Sequence, residues 1–307
     1  YAGIEPDAHT VATALTACSH AGALGRGAWV HEHLLSDDML EDSYVASALI
    51  NMYAKCGSIE RATEVFESIQ HRNRFVWSAM IGGFAVHGLA DHAVECLRRM
   101  QQERMQPDGV IVLNVLSACA HAGLVSEGLQ LLFEMEPRYD IVPQHEHYSC
   151  AVDMLCRVGR LDDALELIRK MPIRPLASVW GSLLTGCRLY GNVELAEMAV
   201  AELQGLTEDD EGVYVQLSDI YRDAGRLEDA RRARRLVGRR GTKKTAAWSS
   251  VEVEGAARSF LAGDCVHPRR VEIGRMLELV TENISWNLDP LCRNIYDREI
   301  ISSVMTE

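Results

Sequence analysis

The side chains of this 307-residue chain that could hold a metal or shuttle a proton are few and poorly spaced for either task. Two His-Glu-His triplets, His31-Glu32-His33 and His145-Glu146-His147, offer zinc donors, but neither stands near a pair of cysteines. The nine cysteines include no Cys-x-x-Cys, and their odd number in so long a chain argues for reduced thiols. Cys18, Cys119 and Cys187 fall at one register position of a repeat, where a small buried side chain explains them better than reactivity. No catalytic residue, cofactor or metal site is therefore expected.

Composition narrows the remaining classes. With 31 basic against 44 acidic residues the formal net charge is −13, so the chain is not a general polyanion binder. Any nucleic acid it holds must be held through base contacts and ordered geometry. Charge is unevenly placed: residues 177–221 carry −7 and residues 222–248 carry +7. The basic stretch, Arg231, Arg232, Arg234, Arg235, Arg239, Arg240, Lys243 and Lys244, reads equally as a solvated helix end and as a contact for RNA or an acidic partner. No run reaches the roughly 18 apolar residues of a membrane span. The chain opens at Tyr1 with neither an apolar signal core nor an Arg/Ser-rich transit sequence, so targeting cannot be read.

The elements follow from one glycine register: Gly22, Gly57, Gly88, Gly123, Gly159, Gly191 and Gly225, at intervals of 35, 31, 35, 36, 32 and 34. Five residues after each stands Gly27, Ala62, Ala93, Gly128, Ala164, Ala196 or Ala230. Four residues before each stands Cys18, Tyr53, Phe84, Cys119, Leu155, Cys187 or Tyr221. An apolar stripe, a glycine that ends a helix in the left-handed conformation and a second helix make a helical hairpin. The small residue lets two helix axes approach, and stacking buries what one hairpin leaves exposed, which predicts an α-solenoid. Its first helices are expected near 43–55, 75–87, 109–121, 146–158, 177–190 and 211–224. Beyond Gly241 the pattern stops. Trp248, Val251, Val253, Phe260 and Leu261 around Gly255 predict a short hairpin, residues 269–284 a helix, and 285–307 an irregular tail. Trp180 and Trp248 are expected to be packing residues.

The segments ALINMYAKCGSIERATEVF, WSAMIGGFAVHGLADHAVECLRRM, VLSACAHAGLVSEG and HYSCAVDMLCRVGRLDDALELIRKM closely resemble plant pentatricopeptide repeats. The mixed repeat lengths are similar to the subfamily that combines short, standard and long repeats. Residues 177–197 and 213–244 resemble its E-type extension, and WSSVEVEG with FLAGDCVHP resembles the extended E+ form, although TAAWS stands where the family has a Pro-Gly-x-Ser-Trp box. The resemblance implies an all-α fold, a right-handed α-solenoid with a small β-hairpin and helix at the C-terminus. It divides the chain into repeats at about 8–42, 43–73, 74–108, 109–144 and 145–176, E-type repeats at 177–244 and an E+ segment at 245–284. The deaminase domain that follows in related proteins needs His-x-Glu and Cys-x-x-Cys, and neither arrangement is present, so no enzyme activity is expected.

The resemblance also implies one base per repeat, read by the fifth residue of the first helix together with the last residue of the repeat. The pairs are Ala12 with Asp42, Ser47 with Asn73, Ser78 with Asp108, Leu113 with Gln144, and Ser149 with Leu176. Tyr44, Phe75 and Val110 stand where a base would be packed. Ser47 with Asn73 is similar to an adenine reader and Ser78 with Asp108 to a guanine reader, which implies a 5′-AG-3′ step in the RNA. The alternative for the acidic and amide members is ordinary helix capping. The implied function is a single-stranded RNA-binding factor of mitochondria, or alternatively chloroplasts. It would specify C-to-U editing sites and recruit a DYW-type deaminase in trans, alongside multiple organellar RNA editing factors. A splicing or stability factor and a protein-binding scaffold are the rival readings.

Overall fold

The computed structural model describes residues 6–206, 211–237, 248–253, 256–261 and 269–287. Helices come in pairs: Ala8–Ala21 (α1) with Leu24–Leu34 (α2), then a single turn at Asp37–Leu40 (α3), and Ser43–Lys55 (α4) with Ile59–Ser68 (α5). Arg74–Val86 (α6) pairs with Ala90–Gln102 (α7), Gly109–Ala122 (α8) with Val125–Tyr139 (α9), and His145–Arg157 (α10) with Leu161–Lys170 (α11). Ala177–Tyr190 (α12) with Val193–Leu203 (α13) and Glu211–Asp223 (α14) with Leu227–Leu236 (α15) complete the solenoid. All six predicted first helices are found within one residue at either end.

Each first helix stops where expected because its register glycine turns left-handed, with φ between +62° and +87° at all seven positions. At Gly123, for example, the N–H bonds back to the Cys119 carbonyl and so satisfies an orphan acceptor of the last turn. The small residue five positions later is buried in every repeat. A Cβ at Gly128 would stand 2.6 Å from the end of the Met154 side chain and 3.3 Å from Cys119 Cβ, so the next repeat's methionine fills the space the glycine leaves. Of the apolar register residues, Tyr53, Phe84, Cys119, Leu155 and Cys187 are buried, whereas Cys18 and Tyr221 are half-buried.

The first helices form one layer, with α1, α4, α6, α8, α10, α12 and α14 each packed on the next, and the second helices form the other. One continuous core runs between the layers, from Val11 to Ile220. Trp180 belongs to the buried set, whereas Trp248 is 66% exposed and does not pack as expected. On the second-helix side Arg99 pairs with Glu67 at 2.7 Å, and the Arg72 guanidinium lies 4.7 Å from the Phe66 ring centre. The Arg99 hydrogen bond holds the Glu67 carboxyl below its ordinary range.

Trp248–Val253 (β1) and Ala256–Leu261 (β2) pair in a two-stranded sheet, and Arg270–Asn287 (α16) is the last helix. The chain divides into two compact units, Tyr1–Lys243 with Ser250–Arg258, and Lys244–Ser249 with Ser259–Glu307. Gly255, the basic residues Arg239, Arg240, Lys243 and Lys244, and the tail from 288 lie outside the described residues. No helix among the described residues is long and apolar enough to cross a membrane.

Replacing Gly128 with leucine forces a side chain into the seat of Met154. Stability should fall by about 1–3 kcal/mol, the usual cost of overpacking, read as a lower urea midpoint.

Candidate nucleic-acid interface

The N-terminal ends of the first helices carry the implied base-reading residues, and local capping places them. Asp42 Oδ1 accepts from Tyr44 N at 2.8 Å, Asn73 Oδ1 from Phe75 N and Val76 N at 3.0 and 3.2 Å, and Asp108 Oδ1 from Ile111 N at 3.0 Å. The capping reading is therefore correct for all three, and it is compatible with base reading. Each cap uses one oxygen, leaving the Asn73 amide nitrogen and the second oxygens of Asp42 and Asp108 outside it. The second Asp108 oxygen stands 3.9 Å from Arg74 Nη1. Gln144 turns its amide nitrogen onto the Val142 carbonyl at 3.0 Å. Leu176 is exposed and caps nothing through its side chain.

The three serines at the fifth helix position differ in what they still offer. Ser47 donates its hydroxyl to the Ser43 carbonyl of its own helix at 2.6 Å. Ser149 is bound across the repeat boundary, 3.0 Å from the Ser178 carbonyl and 3.2 Å from Ser182 Oγ. Ser78, half-buried, makes no side-chain hydrogen bond among the described residues, so its proton is available to a ligand. Ala12 and Leu113 have no polar side-chain atom to contribute.

Beside these polar groups lie exposed apolar surfaces. Tyr44, Phe75 and Val110 are 73%, 62% and 59% exposed, so all three stand clear of the core. The rings of Tyr44 and Phe75 face each other with centroids 6.3 Å apart and planes 22° from parallel. A cavity of about 360 Å³ adjoins Phe75 and Ser78, lined also by Asn51, Lys55, Gly82 and Asn114. Its size is at the lower end of small-ligand sites, about 300–1,000 Å³. Lys55 is exposed at its edge and adds a positive charge.

The His-Glu-His triplets serve the fold. His147 is buried, accepts the Gln144 N–H on Nδ1 at 3.0 Å and faces the Gly109 carbonyl with Nε2 at 2.9 Å. With both ring nitrogens engaged, the side chain joins α10 to α8. His145 Nε2 lies 2.9 Å from the Arg174 carbonyl, and His33 stacks on Trp29 with centroids 4.9 Å apart. His31 Nδ1 is 2.9 Å from the Tyr53 hydroxyl, and burial, with the nearby Arg61 charge, lowers its pKa.

Sequence reasoning missed a ladder of bonds near the other end of the first helices. His87 Nε2 meets the Ala54 carbonyl at 2.7 Å, His121 Nδ1 the Ala85 carbonyl at 3.2 Å, and the Tyr190 hydroxyl donates to the Arg157 carbonyl at 2.8 Å. Each satisfies a carbonyl in the last turn of the preceding first helix, where intrahelical partners run out. The available signal was a donor-bearing side chain one or two residues before the register glycine. A second omission was the polar lining of the Phe75 cavity, Asn51 and Asn114, which lie outside the fifth and last repeat positions.

Comparison with known proteins agrees with this geometry. The pentatricopeptide repeat model matches residues 44–73, 75–105, 110–136 and 140–172, and the E motif model matches residues 190–252. The chain belongs to the pentatricopeptide repeat family. A pentatricopeptide repeat-containing protein of Arabidopsis thaliana is 50% identical over 91% of the chain and 56% of its own length. Two further Arabidopsis thaliana relatives, one named mitochondrial and one chloroplastic, are 40% and 39% identical over 97% and 92% of the chain and 45% and 57% of their own lengths. The pentatricopeptide repeat chain thus spans about half the length of these relatives. Among solved structures, the pentatricopeptide repeat protein PPR10 from maize superposes with a TM-score of 0.61 at 17% identity, over 80% of this chain and 35% of that one. Its complex with an 18-nucleotide psaJ RNA element superposes with a TM-score of 0.56 at 16% identity, over 76% of this chain and 40% of that one.

The register cysteines of the pentatricopeptide repeat chain are packing residues. Burial pushes the thiol of Cys119 up to about 11 and that of Cys187 to about 12. The thiolate is the reacting form, so alkylation of both near pH 8 should be at least about 100-fold slower in the native chain than in urea, as read by mass spectrometry.

Proposed function

We propose that the chain is a sequence-specific single-stranded RNA-binding factor that specifies C-to-U editing sites in organelle transcripts. One observation carries the reading. In the repeat that begins at Arg74, Ser78 with an unengaged hydroxyl and the exposed Phe75 ring line one cavity, and Asp108, with one oxygen in its cap and the other 3.9 Å from Arg74, would complete a single base slot with them. A hydroxyl donor and a carboxylate acceptor suit guanine, whose edge presents both acceptors and donors. In the preceding repeat, Ser47 with the Asn73 amide suits adenine. Leu113 with Gln144 and Ala12 with Asp42 complete the row with less discrimination.

The fold of the maize protein solved with RNA supports an RNA ligand, and the names of the relatives support an organelle, mitochondrion or chloroplast. The E motif supports editing over splicing or transcript stability. In this reading the repeats supply the address, a DYW-type deaminase acts in trans, and multiple organellar RNA editing factors are further partners. No residue of this chain performs the deamination. The acidic balance makes base contacts, rather than phosphate attraction, the source of affinity.

Ser78→Asn with Asp108 retained should move the preferred base of that repeat from guanine toward uracil. A good polar base contact is worth about 1–3 kcal/mol, so the change should be plain in binding to RNAs differing at one base. Retained guanine preference would overturn the assignment. Loss of the gene should abolish editing at one or a few organelle cytidines that lie downstream of an AG step, scored by sequencing complementary DNA. Intact editing at every site would reject the editing role.

A further inference from the structure

We infer that Asn114, supplied by the following repeat, is a third specificity-determining residue of the Ser78–Asp108 slot. The inference rests on the base-reading proposal and adds a residue to it.

Four observations converge on Asn114. It lines the same cavity as Phe75 and Ser78, although it belongs to α8 rather than α6. Its Nδ2 donates to the Ser78 backbone carbonyl at 3.4 Å, a long bond that contributes little by itself. Its Oδ1 makes no hydrogen bond among the described residues. Gly82, one helical turn beyond Ser78, leaves the space in which the amide sits: a Cβ there would stand 3.2 Å from Asn114 Nδ2.

Among the five repeats before residue 177, Asn114 is the one amide at its register position: the others hold Thr13, Ala48, Ala79 and Cys150, while the two hairpins after it hold Ser182 and Gln216. A half-buried amide with one long hydrogen bond gains little for the fold, because desolvating its polar atoms offsets that bond. Leu113 beside it offers no hydrogen bond to its own base, so the polar group at this junction faces back toward the Ser78 slot.

The chemistry selects guanine. The Ser78 carbonyl accepts from one amide hydrogen and thereby sets which way the amide faces, since an oxygen in that place would meet a second oxygen. Asn114 Nδ2 keeps its other hydrogen for the slot. Guanine presents O6 and N7 as acceptors and its N2 amine as a donor. The Asp108 oxygen outside the cap would accept from the guanine amine, while the Ser78 hydroxyl and Asn114 Nδ2 would donate to the guanine acceptors. Adenine places its own N6 amine where guanine has O6 and would oppose the Asn114 donor.

The test is selection of a fully randomised single-stranded RNA pool by the 307-residue chain and its variants, read by sequencing, with a thermal melt of each protein. The wild-type chain should enrich the AG step. Asn114→Asp, which keeps the shape, removes the donor and sets an oxygen toward the Ser78 carbonyl, should leave the adenine position unchanged and reduce guanine over adenine at the second position by about 2- to 10-fold, the worth of one hydrogen bond. Asn114→Leu should reduce guanine as far without gaining adenine. Unchanged guanine enrichment in Asn114→Asp would overturn the inference while leaving base reading intact. Loss at both positions with a lowered melting temperature would make Asn114 a packing residue, which also overturns it. Absence of an AG step from the wild-type selection would defeat the base-reading proposal itself, and this inference with it.

Discussion

Everything in this molecule depends on a hairpin of two helices being unable to bury its own apolar face. The face of α4 that carries Leu49, Ile50 and Tyr53 is fully buried only because α1 and α6 lie on either side of it. Each second helix must also approach its own first helix and the next one closely, as Gly128 does with Cys119 and Met154, which is why alanine or glycine recurs five residues after each register glycine. Gly128 shows how little room is left, with Met154 occupying the space where a Cβ would go. Since each repeat touches mainly its neighbours, stability accumulates pairwise along the stack. The side chains at the helix starts are consequently carried at regular intervals, as one-base-per-repeat reading requires.

The ends of the first helices are joined differently. Near the C-terminal ends, His87, His121 and Tyr190 bond to carbonyls of the preceding repeat and close the gaps left by the helix ladder. Near the N-terminal ends, Asp42, Asn73 and Asp108 cap their own helices with one oxygen each. The cap satisfies backbone donors and also immobilises the side chain, so a second polar atom is offered at a defined place. A capping role leaves room for the proposed recognition role in the same residue because a carboxylate or amide has more hydrogen-bonding capacity than the cap consumes.

The cysteines and histidines illustrate how chemistry-bearing side chains are consumed by packing. Cys119 and Cys187 lie in the core, where burial disfavours the thiolate. His147 uses both ring nitrogens to hold α10 against α8. The charged residues of the second helices pair largely among themselves, as Arg99 does with Glu67, so the outer layer adds little attraction for a polyanion.

The sequence by itself determined the repeat period, the bounds of six first helices, the left-handed glycine at each helix end and the buried small residue. These are local matters of helical periodicity and backbone sterics, and they recur often enough to be read without contacts. The single turn of α3 escaped because four residues carry no helical period. Trp248 was misread because a large aromatic residue signals burial only when a partner surface meets it, and this one is 66% exposed. Tertiary structure alone decided which of three equivalent serines keeps its hydroxyl. Ser47 spends its proton on its own helix, Ser149 on the Ser178 carbonyl of the next first helix, and Ser78 on neither. The placement of Asn114 against the Ser78 slot was likewise invisible: its partner lies 36 residues earlier and meets it only when two repeats stack.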